Sequence, residues 1–461
     1  MLNTKTVQME NNTVKFIDLF AGLGGIRLGF EAAFQSMGFQ TDCVMTSEIK
    51  PYAVETLKKN FKRDYFVGDI FQVKNEFIPD FDFLLGGFPC QPFSASGRRQ
   101  GFLDTRGTLF FEIERILRDK KPYGFILENV EGLIKHDLAH KNDAIGRTLS
   151  TILQTLHEDL GYNISWKLFD SIDFGLPQSR KRIFIVGTKN ETIDLNGLKP
   201  TFQPLKSILE NGLETIKSDF VTKILSHFDI KDLHGKSIKD KRGGDNNIHS
   251  WDIGIKGEVS KAQALLLNKL FKERRKKHWA DEIGIDWMDG MALTFEQIKS
   301  FMQIPDSELK QMLEDLTQKG YLKFEHPKKL VKEQNGNGTS TFRVADETKP
   351  KGYNIVTGKL SFEINKILDP EDIAPTLVAT DVSRLMVPDG DGLRRLTIRE
   401  GLRLFGYPEW YEIPTREIEA FDLLGNTVAV PVVKFVASKL AKSYSESRKN
   451  HLIANKTPVF S

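Results

Sequence analysis

Cysteine is nearly absent from this chain: two occur in 461 residues, Cys43 and Cys90. They stand in no CxxC or Cys/His spacing of the kind that holds zinc, so no metal is expected. Long hydrophobic runs are missing as well. None approaches the ~20 apolar residues that cross a membrane. Residues 1–12 are polar and carry no signal-peptide core, so a cytoplasmic protein with no membrane partner is expected. Charge of one sign is also lacking, with 65 Lys and Arg against 62 Asp and Glu and a net charge of +3. That balance identifies no nucleic-acid partner by itself, and local clusters must carry any such argument. What remains is an ordinary globular composition, 40% hydrophobic and 28% charged, in a chain long enough for two or more domains with sizeable cores.

The stretch Gly86-Gly87-Phe88-Pro89-Cys90-Gln91-Pro92-Phe93-Ser94 follows an apolar run, 81–85, that reads as a buried strand. Strand, glycine pair and proline place Cys90 at the carboxyl edge of a sheet, where open α/β sheets keep their ligand sites. A free cysteine is usually a small buried hydrophobe. Cys90, set between prolines among small and polar residues, fits a nucleophile better, whereas Cys43, within a strand-like run, reads as core. Beyond it, Ser94, Ser96, Arg98 and Arg99 lie in a small, basic stretch that reads as a mobile lid with phosphate-binding arginines, or else as a plain solvated loop.

Residues 14–20 read as a first strand, 21–25 as a glycine turn, and Ile26, Phe30, Ala33 and Phe34 recur at helical spacing. Strand, glycine turn and helix bring backbone close to a nucleotide. Arg27 occupies the third glycine position of G-x-G-x-x-G, which favours a nucleoside without phosphates over a dinucleotide. Glu48 ends the second strand at about the 20-residue offset where a carboxylate meets ribose hydroxyls. Asp69 and Ile70 end a third strand-like segment over the same pocket. Glu128 follows a buried-type run, a costly place for a carboxylate unless it is paired or functional. Arg180 and Arg182 stand just before another strand. A helix carrying Phe111, Ile113, Ile116 and Leu117 lies between. The fold class expected is α/β with a mainly parallel sheet.

Taken in order, these segments resemble the DNA cytosine-5 methyltransferases of bacterial restriction-modification systems. Residues 16–25 resemble that family's cofactor motif, Pro89-Cys90-Gln91 its nucleophile motif, Glu128-Asn129-Val130 its acid motif and 178–182 its Q-x-R-x-R motif. Residues 395–408 and 425–431 resemble its last two motifs. The likeness covers 14–190 and 374–440. It implies a Rossmann-like S-adenosylmethionine-dependent domain plus a smaller target-recognition domain, and double-stranded DNA as partner. A partner restriction endonuclease and a monomeric state are also implied. In that reading Cys90 attacks a flipped cytosine, Glu128 acts as acid, and Arg180 and Arg182 orient base, phosphate and Glu128. Phe20, Gly22, Gly24, Glu48, Ile49, Asp69, Ile70, Pro89, Leu109, Asn426, Thr427 and Val428 hold the cofactor. Gln91, Ser94, Ser96, Arg98, Arg99 and Thr376 meet DNA.

The domains expected are 1–190, catalytic; 191–395, target recognition; and 396–461, returning to the first through a helix over 432–444 with a frayed polar end beyond Glu446. Within the insert, a helix through 264–271 runs into a basic cluster, 272–278, suited to phosphates or equally to a solvated helix end. Over 290–326 the pattern helix, turn, helix, strand resembles a winged-helix module, a DNA-binding unit, although it reads equally as packing. Residues 332–340 read as a polar flexible loop. Three rival functions keep part of this pattern: a tRNA cytosine-5 methyltransferase, a non-catalytic DNA-binding regulator, and a nicotinamide dehydrogenase. The set Cys90, Glu128, Arg180 and Arg182 disfavours the second. Arg27 and Pro89-Cys90-Gln91 disfavour the third.

Overall fold

The computed structural model describes residues 12–62, 65–88, 109–140, 142–240, 246–335, 338–356, 362–378 and 382–454. Pro89, Cys90, Gln91, Ser94, Ser96, Arg98 and Arg99 therefore lie outside the described residues. The chain forms two compact units. The first contains Met1–Glu210, Pro370–Ser383 and Leu396–Ser461, and the second Asn211–Asp369 and Arg384–Arg395. The first extends past residue 190 because the 205–206 amides donate to the carbonyls of Asp372 and Pro370.

The first unit is built on a seven-stranded sheet. Its strands are β1 (Thr13–Leu19), β2 (Gln40–Ser47), β3 (Phe66–Val67), β4 (Phe83–Gly87), β5 (Gly124–Val130), β6 (Asn163–Asp170) and β7 (Lys181–Thr188). They lie in the order β3-β2-β1-β4-β5-β7-β6. The pairs β1/β2, β2/β3, β1/β4 and β4/β5 are parallel, whereas β7 runs antiparallel to both β5 and β6. This is the mainly parallel α/β sheet expected, with its strand order reversing at β1. At such a switch point the carboxyl ends of adjacent strands open a crevice.

Alternation along the strands feeds two cores. Val14 and Phe16 of β1 and Phe83 and Leu85 of β4 face helix α1 (Gly25–Ser36) and the helix Val430–Ala454. The helix α2 (Pro51–Asn60) precedes β3 in the chain. Ile17, Leu19 and Leu84 face the opposite layer, to which α3 (Leu109–Lys120), after β4, supplies Phe110, Ile113, Ile116 and Leu117. Phe110, not Phe111, joins that face. Phe111 remains 47% exposed, because positions 110, 113 and 117 share the stripe and 111 is turned roughly a quarter-turn away. Cys43 is buried in the α1 core as expected. The C-terminal helix continues to Ala454, so the polar end beyond Glu446 is helical rather than frayed.

The second unit has two cores of its own. One joins Val221, Ile224, Ile238, Ile248 and Met386 around a small five-stranded sheet. The other joins the helices Lys261–Glu273, Phe295–Met302 and Asp306–Gln318 with the strands Leu322–Glu325 and Gly352–Ile355. Leu309, Met312, Leu313 and Leu316 form the buried face of the helix 306–318, as their spacing requires. Residues 328–335 and 338–345 pair as an antiparallel hairpin, correcting the loop expected over 332–340. The basic cluster is also not what it looked like. Arg274 is buried and bonded to Asn354 and the Ile355 carbonyl, Arg275 pairs with Asp289, and Lys276 with Glu273. Two of its cations, Arg275 and Lys276, are thus paired with carboxylates within the fold.

Candidate active site

The crevice begins where β1 ends. Phe20 adopts φ 57°, a left-handed backbone unusual for a bulky side chain, and Gly22 and Gly24 follow with φ 54° and 66°. Conformations of this kind cost free energy and gather at functional sites. The turn is closed by the Gly24 amide donating to the Ala21 carbonyl. A side chain at Gly24 would strike Phe61 of the segment after α2, whereas one at Gly22 would meet nothing within 4 Å among the described residues. The turn is thus packed on one side and open on the other.

Glu48 anchors that open side. Its Oε2 accepts from the Gly22 amide at 2.8 Å, and its Oε1 accepts from the amides of Ile49 and Lys50, each at 2.8 Å. Three backbone donors hold the carboxylate in place and leave lone pairs for a further donor. Beside it Ile49 is 71% exposed, an apolar face unclaimed by the core. Asp69 caps a short 3-10 turn by accepting from Phe71, and Ile70 is buried beneath. The nearby cations are engaged: Arg27 pairs with Glu31 and lies over the Phe61 ring, and Lys50 pairs with Asp422. Among the described residues, these neighbouring cations are already committed to partners other than a pyrophosphate. Asn426 is exposed and donates to the Asp422 carbonyl, while Thr427 and Val428 are buried, Thr427 bonding the Tyr407 hydroxyl at 2.6 Å. Leu109, the first residue of α3, is half-buried against the core of that layer.

The second half of the crevice is the carboxyl end of β4 and β5. Gly87 pairs with Glu128, and a side-chain carbon at Gly87 would lie 3.2 Å from Glu128 Oε2. Asn129 turns back to donate to the Phe88 carbonyl at 2.8 Å. The strand end that leads to Cys90 is thereby fixed against the strand that carries Glu128. Glu128 is 8% exposed, and Arg182 Nε reaches its Oε1 at 2.9 Å. Burial pushes the Glu128 carboxyl up, opposed by the charges of Arg182 and Arg180. A carboxyl so placed is suited to hold a proton and present it.

Arg180 is turned elsewhere. It is 3% exposed, and its guanidinium donates to the carbonyls of Leu377 and Gly425 at 3.0 Å each. Burial and the neighbouring Arg182 push it down to about 9, Glu128 acting against them. Gln178 works alongside, accepting from the Leu377 amide and donating to the Leu404 carbonyl. Thr376 is exposed, with its hydroxyl donating to the Ser179 carbonyl. Both arginines are expected to orient Glu128, Arg182 foremost, and of the two it is Arg182 whose guanidinium meets Glu128. Tyr411 escaped attention altogether: its hydroxyl donates to the Leu23 carbonyl at 2.6 Å and so buttresses the glycine turn. A buried tyrosine whose partner is a distant backbone carbonyl leaves no local pattern to read.

The sequence model for C-5 cytosine-specific DNA methylases matches residues 14–442, nearly the whole described chain. The protein belongs to that family. As a cytosine-5 DNA methyltransferase it is 56% identical over 427 residues to the type II methyltransferase M.NlaIV of Neisseria lactamica, spanning 93% of this chain and 98% of that one. It is 40% identical to M.BanI of Aneurinibacillus aneurinilyticus, spanning 93% and 95% of the two chains. Among solved structures, Entamoeba histolytica methyltransferase EhMeth aligns over 94% of this chain and 99% of its own, with TM-score 0.51 at 14% identity, a likeness of fold. The methyltransferase thus keeps its family's sheet, and its Glu128–Arg182 pair stands at the carboxyl edge of that sheet.

Proposed function

We propose that this methyltransferase acts on a cytosine flipped out of duplex DNA, with Cys90 as covalent nucleophile, and that it protects DNA from a partner restriction endonuclease. The observation that carries this reading is the buried Glu128–Arg182 pair, fixed beside Gly87 three residues ahead of Cys90. Similarity to type II methyltransferases supports the restriction partner.

Carbon 5 of cytosine is a poor nucleophile and is stacked out of reach in a duplex. Extrusion costs a few kcal/mol in lost stacking and pairing. The Cys90 thiolate then bonds to carbon 6, and the electron pair of the 5,6 double bond is released toward carbon 5 and the ring. Glu128, its carboxyl pushed up by burial, donates to ring nitrogen 3 and offsets the developing negative charge. Arg182 holds that carboxyl in register. After transfer the proton on carbon 5 leaves, its electron pair restores the double bond, and the Cys90 thiolate is expelled.

The turn at Gly22 and Gly24, with Glu48 anchored beside it and Ile49 exposed, fits S-adenosylmethionine: a carboxylate for ribose hydroxyls, an apolar face for adenine, and the cations Arg27 and Lys50 already paired with carboxylates. Bound there, the cofactor supplies an electrophilic methyl group on its sulfonium. Phe20, Asp69, Ile70, Pro89, Leu109, Asn426, Thr427 and Val428 complete the proposed cofactor set. Gln91, Ser94, Ser96, Arg98, Arg99 and Thr376 are the proposed DNA contacts of the first unit, and Arg180 is a positioning residue.

Transfer of labelled methyl from S-adenosylmethionine to unmethylated duplex DNA, followed by bisulfite sequencing, tests the reading. One protected cytosine in a short recurring sequence is expected. Cys90→Ser is expected to lose transfer while still binding the cofactor, and retained turnover in that variant overturns the nucleophile.

A further inference from the structure

Residues 261–355 of the second unit contain a complete small fold. The helix Lys261–Glu273 comes first, and the isolated bridge Leu293↔Tyr353 supplies a first strand position. The helices Phe295–Met302 and Asp306–Gln318 follow, then the strand Leu322–Glu325, the hairpin 328–345 and the strand Gly352–Ile355, which returns antiparallel to 322–325. Leu266, Leu270, Leu293, Ile298, Leu313, Leu322 and Ile355 share one core. Apart from the short helix Lys277–Ile283 inserted before Leu293, the order helix, strand, helix, helix, strand, hairpin, strand is that of a winged helix, with the hairpin as its wing.

In helix-turn-helix proteins the second helix enters the major groove and its N-terminal residues meet base edges. Here that helix is 306–318, and its first turn carries the exposed Asp306, which pairs with Lys299, and the exposed Glu308. Glu314 is exposed farther along, and Lys310, the exposed cation of that helix, lies over the Phe295 ring. Such a face repels phosphates.

The wing has the opposite character. Register pairs Lys328 with Ala345 and Leu330 with Arg343, so Lys328 and Arg343 share one face. Both are exposed, and neither has a carboxylate partner among the described residues. Together with Arg274, Lys323 and His326 they line a cavity of about 180 Å³. Its two carboxylates are occupied: Glu325 pairs with Lys323 and accepts from Asn354, and Asp289 pairs with Arg275. Arg274, 5% exposed, keeps an Nε with no hydrogen-bond partner among the described residues, a buried donor that a ligand oxygen would satisfy.

We infer that this winged helix docks on duplex DNA through its wing, with Lys328, Arg343 and the Arg274 cavity taking backbone phosphates, and that the helix 306–318 faces away from the duplex. The inference rests on reading the second unit as the DNA-recognition unit. Phosphate contacts of this kind hold register and orientation, and leave sequence reading to other residues.

Fluorescence anisotropy with a labelled duplex bearing the methylated sequence, over a salt series, tests it. Each phosphate contact contributes about 0.9 to the slope of log K against log salt. Lys328→Ala combined with Arg343→Ala is expected to make the slope shallower by about 1.8 and to weaken binding on the order of tenfold, with the methylated sequence unchanged. Lys310→Ala combined with Gln311→Ala is expected to leave both slope and affinity as in the unaltered enzyme. An unchanged slope in the wing variant, or weakening by the helix variant alone, overturns the wing assignment while DNA recognition by the second unit stands. Salt-independent binding by the unaltered enzyme would remove both.

Discussion

At the scale of single residues, the chemistry turns on a carboxyl that is buried and only partly compensated. Glu128 has its pKa raised by burial, and Arg182 at 2.9 Å draws it back. The unfolded chain therefore releases this proton at a lower pH than the folded one. Stability supplied by protonated Glu128 is complete below the ordinary carboxyl value of 4.5 and is lost as pH rises through the raised value. Glu128→Gln removes that loss, so its melting temperature relative to the unaltered enzyme should climb between pH 4 and pH 8, measured by thermal denaturation. Its single-turnover methyl transfer should fall by about 10²- to 10⁴-fold, the usual worth of a positioned acid. An unchanged rate removes the acid role and leaves the pair as packing.

At the scale of elements, α1 lies unusually close to the helix Val430–Ala454. An added carbon at Gly29 would stand 2.5 Å from Val433 Cβ and 2.8 Å from the Lys434 backbone nitrogen. Backbone cannot swing aside as a flexible side chain does. Gly29→Ala should therefore destabilise the first unit by about 1–3 kcal/mol, the common cost of overpacking, read as a lower denaturation midpoint. The strands and the helix 306–318 were legible in sequence because their apolar spacing is strict. The hairpin 328–345 was not, since both its faces carry polar residues and no alternation marks them. Asn335-Gly336 and Asn337-Gly338 were the turn signals that could have found it. The stripe of α3 was misread by one position at Phe110 for a related reason: two adjacent phenylalanines fit a helical period equally well until the partner surface is known.

At the scale of the whole molecule, distant segments are joined by groups that look alike in sequence. Glu128 was readable from its cost after an apolar run, and Glu48 from its offset after the glycines. The division of labour between Arg180 and Arg182 was not, because it depends on where residues 377 and 425 return. Arg180→Met should loosen the return segment first. Hydrogen exchange at the amides of Ala374, Leu377 and Ser179, which bond the Pro177 carbonyl, the Gln178 side chain and the Ala374 carbonyl, should quicken, while the β7 amides stay protected. Uniform loss of protection would mean that Arg180 supports the fold at large.

The first unit takes back residues 370–383 before the chain finishes the second with 384–395. Exchange of the second unit between such enzymes by recombination therefore needs two pieces of gene moved together, with the fourteen codons between them left behind. A single crossover on either side of that stretch pairs one parent's small sheet with the other's missing edge, and the hybrid is lost before its specificity is ever tried.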